Sequence, residues 1–213
     1  GGAALIVEQT DRYRGLAFMI FRFFMLRREM QQLDVWLRTG TASRSGVFEQ
    51  PATQAAIAVF STLLLWPFFG FNIWGLALST MLTVVIALHE LGHLAAYRAF
   101  GHERVRMIFI PLLGGVAIGS RPYNSLFEVA VCALMGAGLS AFLVPILIAI
   151  SVTGGQVEAL QGLAPPAMTL LLIMAAFNFL NLLPMSRFDG GQVLRQVFPT
   201  RDALMGASFL VTA

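Results

Sequence analysis

The sequence contains no lysine, and all 14 of its basic residues are arginine. Charge of either sign is scarce, since charged residues make up 12% of the chain and hydrophobic ones 57%. That balance excludes an ordinary soluble domain. A nucleic-acid surface is excluded too, because the formal charge is only +3 and no dense basic patch is interleaved with exposed aromatics. Cysteine is nearly absent: Cys132 stands alone in an apolar run, so no intrachain disulfide can form and its default role is packing. What the chain has instead is long charge-free stretches and a mean hydropathy of +0.76, the composition of a membrane protein.

A helix needs about 20 residues to cross the hydrocarbon core. No residue between Glu49 and His89 is charged, and WPFFGFN (66–72) interrupts that run with Pro67, Gly70 and Asn72. This pattern predicts two helices, over 52–69 and 73–100, joined by a tight hairpin. Two further spans are predicted over 126–150 and 166–185, separated by a loop at 151–162. The N-terminal part has only seven residues between Arg14 and Arg22, and reads as an amphipathic helix lying in the membrane interface. At the other end the chain stops inside the apolar SFLVTA, so 192–213 reads as a C-terminal segment that starts a further, truncated membrane segment.

Arginine placement supports the layout independently. Seven arginines precede residue 52, four fall at 98–121, three follow the last full span, and none lies in the turn near 70 or in the loop at 151–162. With the N-terminal region cytoplasmic, every cluster lands inside, as the positive-inside tendency requires. Between the second and third spans, RVRMIFIPLLGGVAIGSRPYNS (104–125) is apolar but too short to cross and return. The alternation in VRMIFI, followed by Pro111 and Gly114-Gly115, predicts an extended hairpin dipping into the membrane. Such backbone is tolerated at depth only where protein or a watery cavity satisfies it.

The chemistry lies in VVIALHELGHLAAYRAF (84–100). His89 and His93 are four residues apart, which puts both imidazoles on one helix face, one turn apart, with the geometry to chelate a single zinc ion. Glu90 points just off that face and can act as a general base without taking a coordination position. A bare HExxH also occurs as a structural histidine pair. At membrane depth, however, each ionisable group costs about 2.5–3.5 kcal/mol on insertion scales and is functional by default. A catalytic zinc site wants a third protein ligand. His102 and Glu103 lie among arginines at the helix end and read as solvated, while Glu128 reads as an ordinary carboxylate at a helix N-terminus. Asp189, set between Pro184 and Gly190-Gly191, is favoured as the third ligand over a plain turn aspartate.

HELGH (89–93) in a membrane helix, the Pro-Leu-Leu-Gly-Gly loop after it, and NLLPMSRFDG (181–190) at the end of a later helix together resemble the site-2 protease family of intramembrane zinc metalloproteases. The resemblance covers about residues 73–191. It implies a three-helix catalytic core over 71–191. Joined to the spans read above, this gives an all-α polytopic membrane protein with an additional N-terminal span over 52–70 after an interfacial region (1–51), and a membrane-embedded extended loop after the HExxH helix. It further implies that His89, His93 and Asp189 bind Zn2+, that Glu90 activates water, that Asn181 stabilises the oxyanion, and that Gly114, Gly115 and Val116 clamp an extended substrate. The implied partner is a transmembrane, membrane-tethered regulatory protein in the same lipid bilayer, with no nucleic acid and the active-site end cytoplasmic. There is one departure. Where the family often has Ala-Gly-Pro-x-x-Asn, this chain has Met135-Gly136-Ala137-Gly138-Leu139-Ser140. The contending readings are a catalytically silent zinc-binding homologue, which has no need of Glu90, and a prenyl-protein peptidase, whose third ligand resembles a helix-borne glutamate.

Overall fold

The computed structural model describes residues 30–40, 50–110, 114–185 and 188–212. The chain divides into two compact units, 1–46 and 47–213. In the first, a helix over 30–39 carries an exposed Arg38–Asp34 pair at 3.0 Å. The rest of the expected interfacial helix, and the turn at Pro111, lie outside the described residues.

The second unit begins with α1 (Pro51–Phe69) and α2 (Ile73–Ala99). Pro51 occupies the first turn of α1, where a missing N–H is harmless. The expected hairpin at 66–72 forms. Gly70 turns the chain at φ 96°, the Asn72 side chain caps α2 by accepting from the Gly75 amide at 2.9 Å, and the Trp66 indole donates to the Asn72 carbonyl. Strands β1 (Arg106–Ile110) and β2 (Gly114–Ile118) then pair antiparallel, with Phe109 opposite Gly115 and Met107 opposite Ala117. The hairpin read from the sequence is present.

The expected third span is longer and broken. It runs as α3 (Leu126–Ala141) and α4 (Val144–Gly154), interrupted at 142–143, where Pro145 in the first turn of α4 has no N–H to donate to the carbonyl one turn back. The expected loop at 151–162 is consequently reduced: α4 reaches Gly154 and a 3-10 turn covers Glu158–Leu163. The fourth span, α5, covers Ala164–Leu182 in place of 166–185, with Pro165 and Pro166 absorbed in its first turn. Two short helices follow, α6 (Asp189–Val197) and α7 (Arg201–Thr212), and the Ser208 hydroxyl of α7 donates to the Pro184 carbonyl.

Among the described residues, four helical stretches are long and apolar enough to cross a membrane: Pro51–Phe69, Ile73–Ala99, Leu126–Gly154 and Glu158–Leu182. Their packing inverts the soluble pattern. Phe60, Leu63, Phe142 and Phe179 are exposed, while α2 buries Gly75, Ser79 and Thr83, then His89, Glu90 and His93. Small residues let the helix backbones approach closely, and polar side chains find partners inside. Thr62 of α1 and Thr83 of α2, for example, share a hydrogen bond at 2.7 Å.

The hairpin is tied to this bundle at one edge. Gln54 of α1 is 5% exposed, and its carbonyl oxygen accepts from the Phe109 amide at 2.6 Å. Replacing it by leucine would leave a buried donor without that acceptor, at about 1–3 kcal/mol. Gln54→Leu is therefore expected to speed amide hydrogen exchange in β1 selectively, which exchange mass spectrometry would detect against an unchanged α5.

Candidate metal centre

Three elements meet around one point. His89 and His93 project from the same face of α2, and Asp189, the first residue of α6, arrives from the turn after α5. Nε2 of His89 lies 2.9 Å and Nε2 of His93 3.3 Å from Oδ2 of Asp189, and the two nitrogens are 3.1 Å apart. All three residues are buried, at 2%, 8% and 8% exposure. Among the described residues this is the one group of His, Cys, Asp and Glu side chains able to hold a metal ion.

The outer nitrogens decide what the inner ones can do. Nδ1 of His89 faces Oδ1 of Asn178 at 3.0 Å, and Nδ1 of His93 faces the Cys132 carbonyl at 2.6 Å. Each Nδ1 therefore carries a proton to donate, and each Nε2 turns a lone pair toward the Asp189 carboxylate. Three acceptors converging at such distances repel one another unless a cation lies between them. A zinc ion with bonds of about 2.0–2.1 Å holds tetrahedral ligand atoms roughly 3.3 Å apart. The donor set, its tautomers and its spacing thus fit zinc.

Backbone proximity shapes the rest of the site. A Cβ on Gly136 of α3 would fall 2.6 Å from Nε2 of both His89 and His93, so only glycine lets α3 pass beneath the imidazoles. A Cβ on Gly115 would fall 2.4 Å from Cγ of Glu90, so β2 lies directly against the side chain of Glu90. Glu90, 6% exposed, shares a cavity of about 480 Å³ with the three candidate ligands, Gly115, Val116 and Asn181. Gly114, at φ 105°, stands instead at the head of β2, outside the cavity lining. Asn181 gives one amide proton to the Phe177 carbonyl at 3.0 Å and keeps the other.

Several residues in and around the site escape a reading of the sequence alone. Asn178 is betrayed only by being an amide inside an apolar helix. Tyr97 extends the 89–93 stripe by one more turn into the cavity wall. His102 and Glu128, expected to be solvated and ordinary, are buried against each other at 2.8 Å. The expectation failed because Arg121, from the far side of the hairpin, closes over them.

Fold and site together define an all-α polytopic protein with a buried two-histidine, one-carboxylate cluster. No family model and no curated protein sequence matches the chain. Among solved structures it is similar to the Site-2 Protease from Methanocaldococcus jannaschii, at 21% identity and a TM-score of 0.45, over 68% of this chain and 66% of that one. At that identity the chemistry has to be read from this chain's own residues.

Removal of the Asn178 carbonyl tests the tautomer argument. Asn178→Ala is expected to weaken zinc binding by roughly 10- to 100-fold, measured by competition with a chromogenic chelator, while leaving the helical content unchanged.

Proposed function

We propose that the chain is an intramembrane zinc metalloprotease of site-2 protease type, hydrolysing peptide bonds in or near transmembrane segments of membrane-tethered proteins. The observation that carries this reading is the place of Glu90. It lies beside the first candidate ligand, against a strand edge, inside the same cavity as His89, His93 and Asp189. A structural zinc site has no use for a carboxylate so placed.

His89, His93 and Asp189 would hold the ion, which supplies Lewis-acid polarisation and makes water a nucleophile near neutral pH. The protein's own part follows from geometry. The Phe109 amide points away from β2, toward Gln54, so in the antiparallel ladder its opposite residue Gly115 also turns its N–H and C=O away from β1. Two residues on, Ala117 does the same, its amide donating to the Glu90 carboxylate, and both residues line the cavity. An extended substrate can add to this edge through backbone hydrogen bonds, which brings a scissile carbonyl beside Glu90. Glu90 takes the proton of the attacking water and passes it to the leaving amine. The second amide proton of Asn181 is available to the oxyanion.

Glu90→Gln tests the base. It is expected to retain zinc and to lose at least about two orders of magnitude in cleavage of a model transmembrane substrate. Retained zinc with undiminished cleavage would sink the assignment, and a wild-type chain that binds zinc without cleaving any membrane substrate would favour a silent zinc-binding protein.

Addition to a strand edge also sets a substrate requirement, because a peptide in a helix hides its carbonyls. Substrates carrying Gly, Pro or Asn near the cut are expected to be cleaved faster than poly-leucine variants of equal length, in a gel assay with vesicle-embedded substrates. Equal rates would contradict strand addition.

A further inference from the structure

Two polar side chains that the proposed reaction does not use are buried together beyond the C-terminal end of α2, beneath a half-buried arginine. The side chains of His102 and Glu128 are 0% and 1% exposed, with Nε2 of His102 2.8 Å from Oε1 of Glu128. The Arg121 guanidinium lies 3.0 Å from the same oxygen and donates to the Phe100 carbonyl at 2.5 Å. The other oxygen of Glu128 accepts from the Asn124 amide at 2.8 Å, and the Ser120 amide donates to Nδ1 of His102 at 3.0 Å. With Nδ1 an acceptor, the imidazole proton sits on Nε2 and is given to Glu128. Every ring nitrogen and carboxylate oxygen of the pair is used.

These bonds fall on the segment that leaves β2. Gly119 and Ser120 follow the strand directly, and a Cβ on Gly119 would lie 2.5 Å from Nδ1 of His102 and 3.1 Å from Cδ1 of Tyr97. The exit of the hairpin therefore rests on two rings. The Tyr97 ring is 5.0 Å from that of His102, its hydroxyl meets that of Tyr123 at 2.7 Å, and its side chain reaches the cavity one turn past His93. The cluster thus connects to the reaction chamber by two routes: through Ser120 to the β2 edge over Glu90, and through Tyr97 to the cavity wall. Burying an ion pair costs desolvation that an apolar plug would avoid. What directional bonds add is a single register.

Resting on the protease reading above, we propose that His102, Glu128 and Arg121 form a positioning device. They fix the height of the β2 edge over Glu90, and so the seating of the substrate strand, without touching metal, base or substrate. Loss of the Ser120 anchor lets β2 shift relative to α2, and a displacement of about 1 Å at a reacting group can cost on the order of 100-fold.

The test uses the full chain in lipid vesicles. His102→Phe keeps the ring volume and removes both hydrogen bonds, while His102→Asn keeps an acceptor within reach of the Ser120 amide. His102→Phe is expected to retain zinc and to lose roughly 10- to 100-fold in kcat/KM, mostly through KM, with His102→Asn recovering most of the loss. Spin labels at Val116 of β2 and Phe71 in the hairpin before α2, both exposed, read the strand position without any turnover. Their distance distribution should broaden or shift in His102→Phe and return in His102→Asn. An unchanged distribution in His102→Phe overturns the proposal, as does loss of zinc and of kcat in both variants alike, which marks mere structural support. If the wild-type chain cleaves nothing, the protease reading falls, and the spin-label result still decides whether the cluster holds the hairpin.

Discussion

Three lone pairs, on Nε2 of His89, Nε2 of His93 and Oδ2 of Asp189, point at one another across 2.9 to 3.3 Å in a buried space. With both imidazoles neutral these lone pairs repel one another unless a cation lies between them, and much of the architecture is suited to holding one. Each imidazole must be held with its other nitrogen occupied, which calls for Asn178 on α5 and the Cys132 carbonyl on α3. The carboxylate must be delivered from beyond the membrane-length part of the chain, which calls for the break at Pro184 and the start of α6 at Asp189. Elements far apart in sequence are drawn together to serve one ion-sized space.

The same constraint explains the small residues on the inner faces. Helices in a bilayer gain little by burying apolar side chains against one another, so close backbone approach and internal hydrogen bonds hold the bundle. Gly136 permits α3 to pass under both imidazoles, and no larger side chain fits there. One turn further on, a buried polar residue is accommodated on similar grounds. Ser140 is fully buried and returns its hydroxyl to the Gly136 carbonyl of its own helix, so it leaves no buried donor unmatched.

What was legible in the sequence was whatever is periodic or costly. Charge-free runs of membrane length, the four-residue spacing of His89 and His93, and the alternation of VRMIFI each follow from local geometry, and each recurs in the structure at nearly the expected bounds. The missed features depend on partners far along the chain. His102 reads as solvated because Arg98 and Arg104 flank it, yet Arg121 and Glu128, 19 and 26 residues further on, enclose it. Asn178 and Gln54 carry no charge and raised no alarm, although a primary amide inside an apolar helix needs a partner almost as much as a carboxylate does. The loop expected at 151–162 is the stretch between two apolar runs, but its first residues extend the helix that begins again at Val144 and ends at Gly154.

The hairpin shows why such amides matter. A two-stranded sheet has two free edges, and in an apolar setting each exposed N–H and C=O is a liability. The β1 edge is met by Gln54. The β2 edge is met in part by Glu90, which accepts from the Ala117 amide, and its remaining outward groups face the cavity. Water can satisfy them there, and so can an extended peptide, so exchanging one for the other changes the hydrogen-bond count little. On the proposed protease reading, the net cost of seating a substrate would then be mainly that of unwinding it. Selectivity for weak helices would follow from that asymmetry between edges alone, before any side-chain pocket is considered.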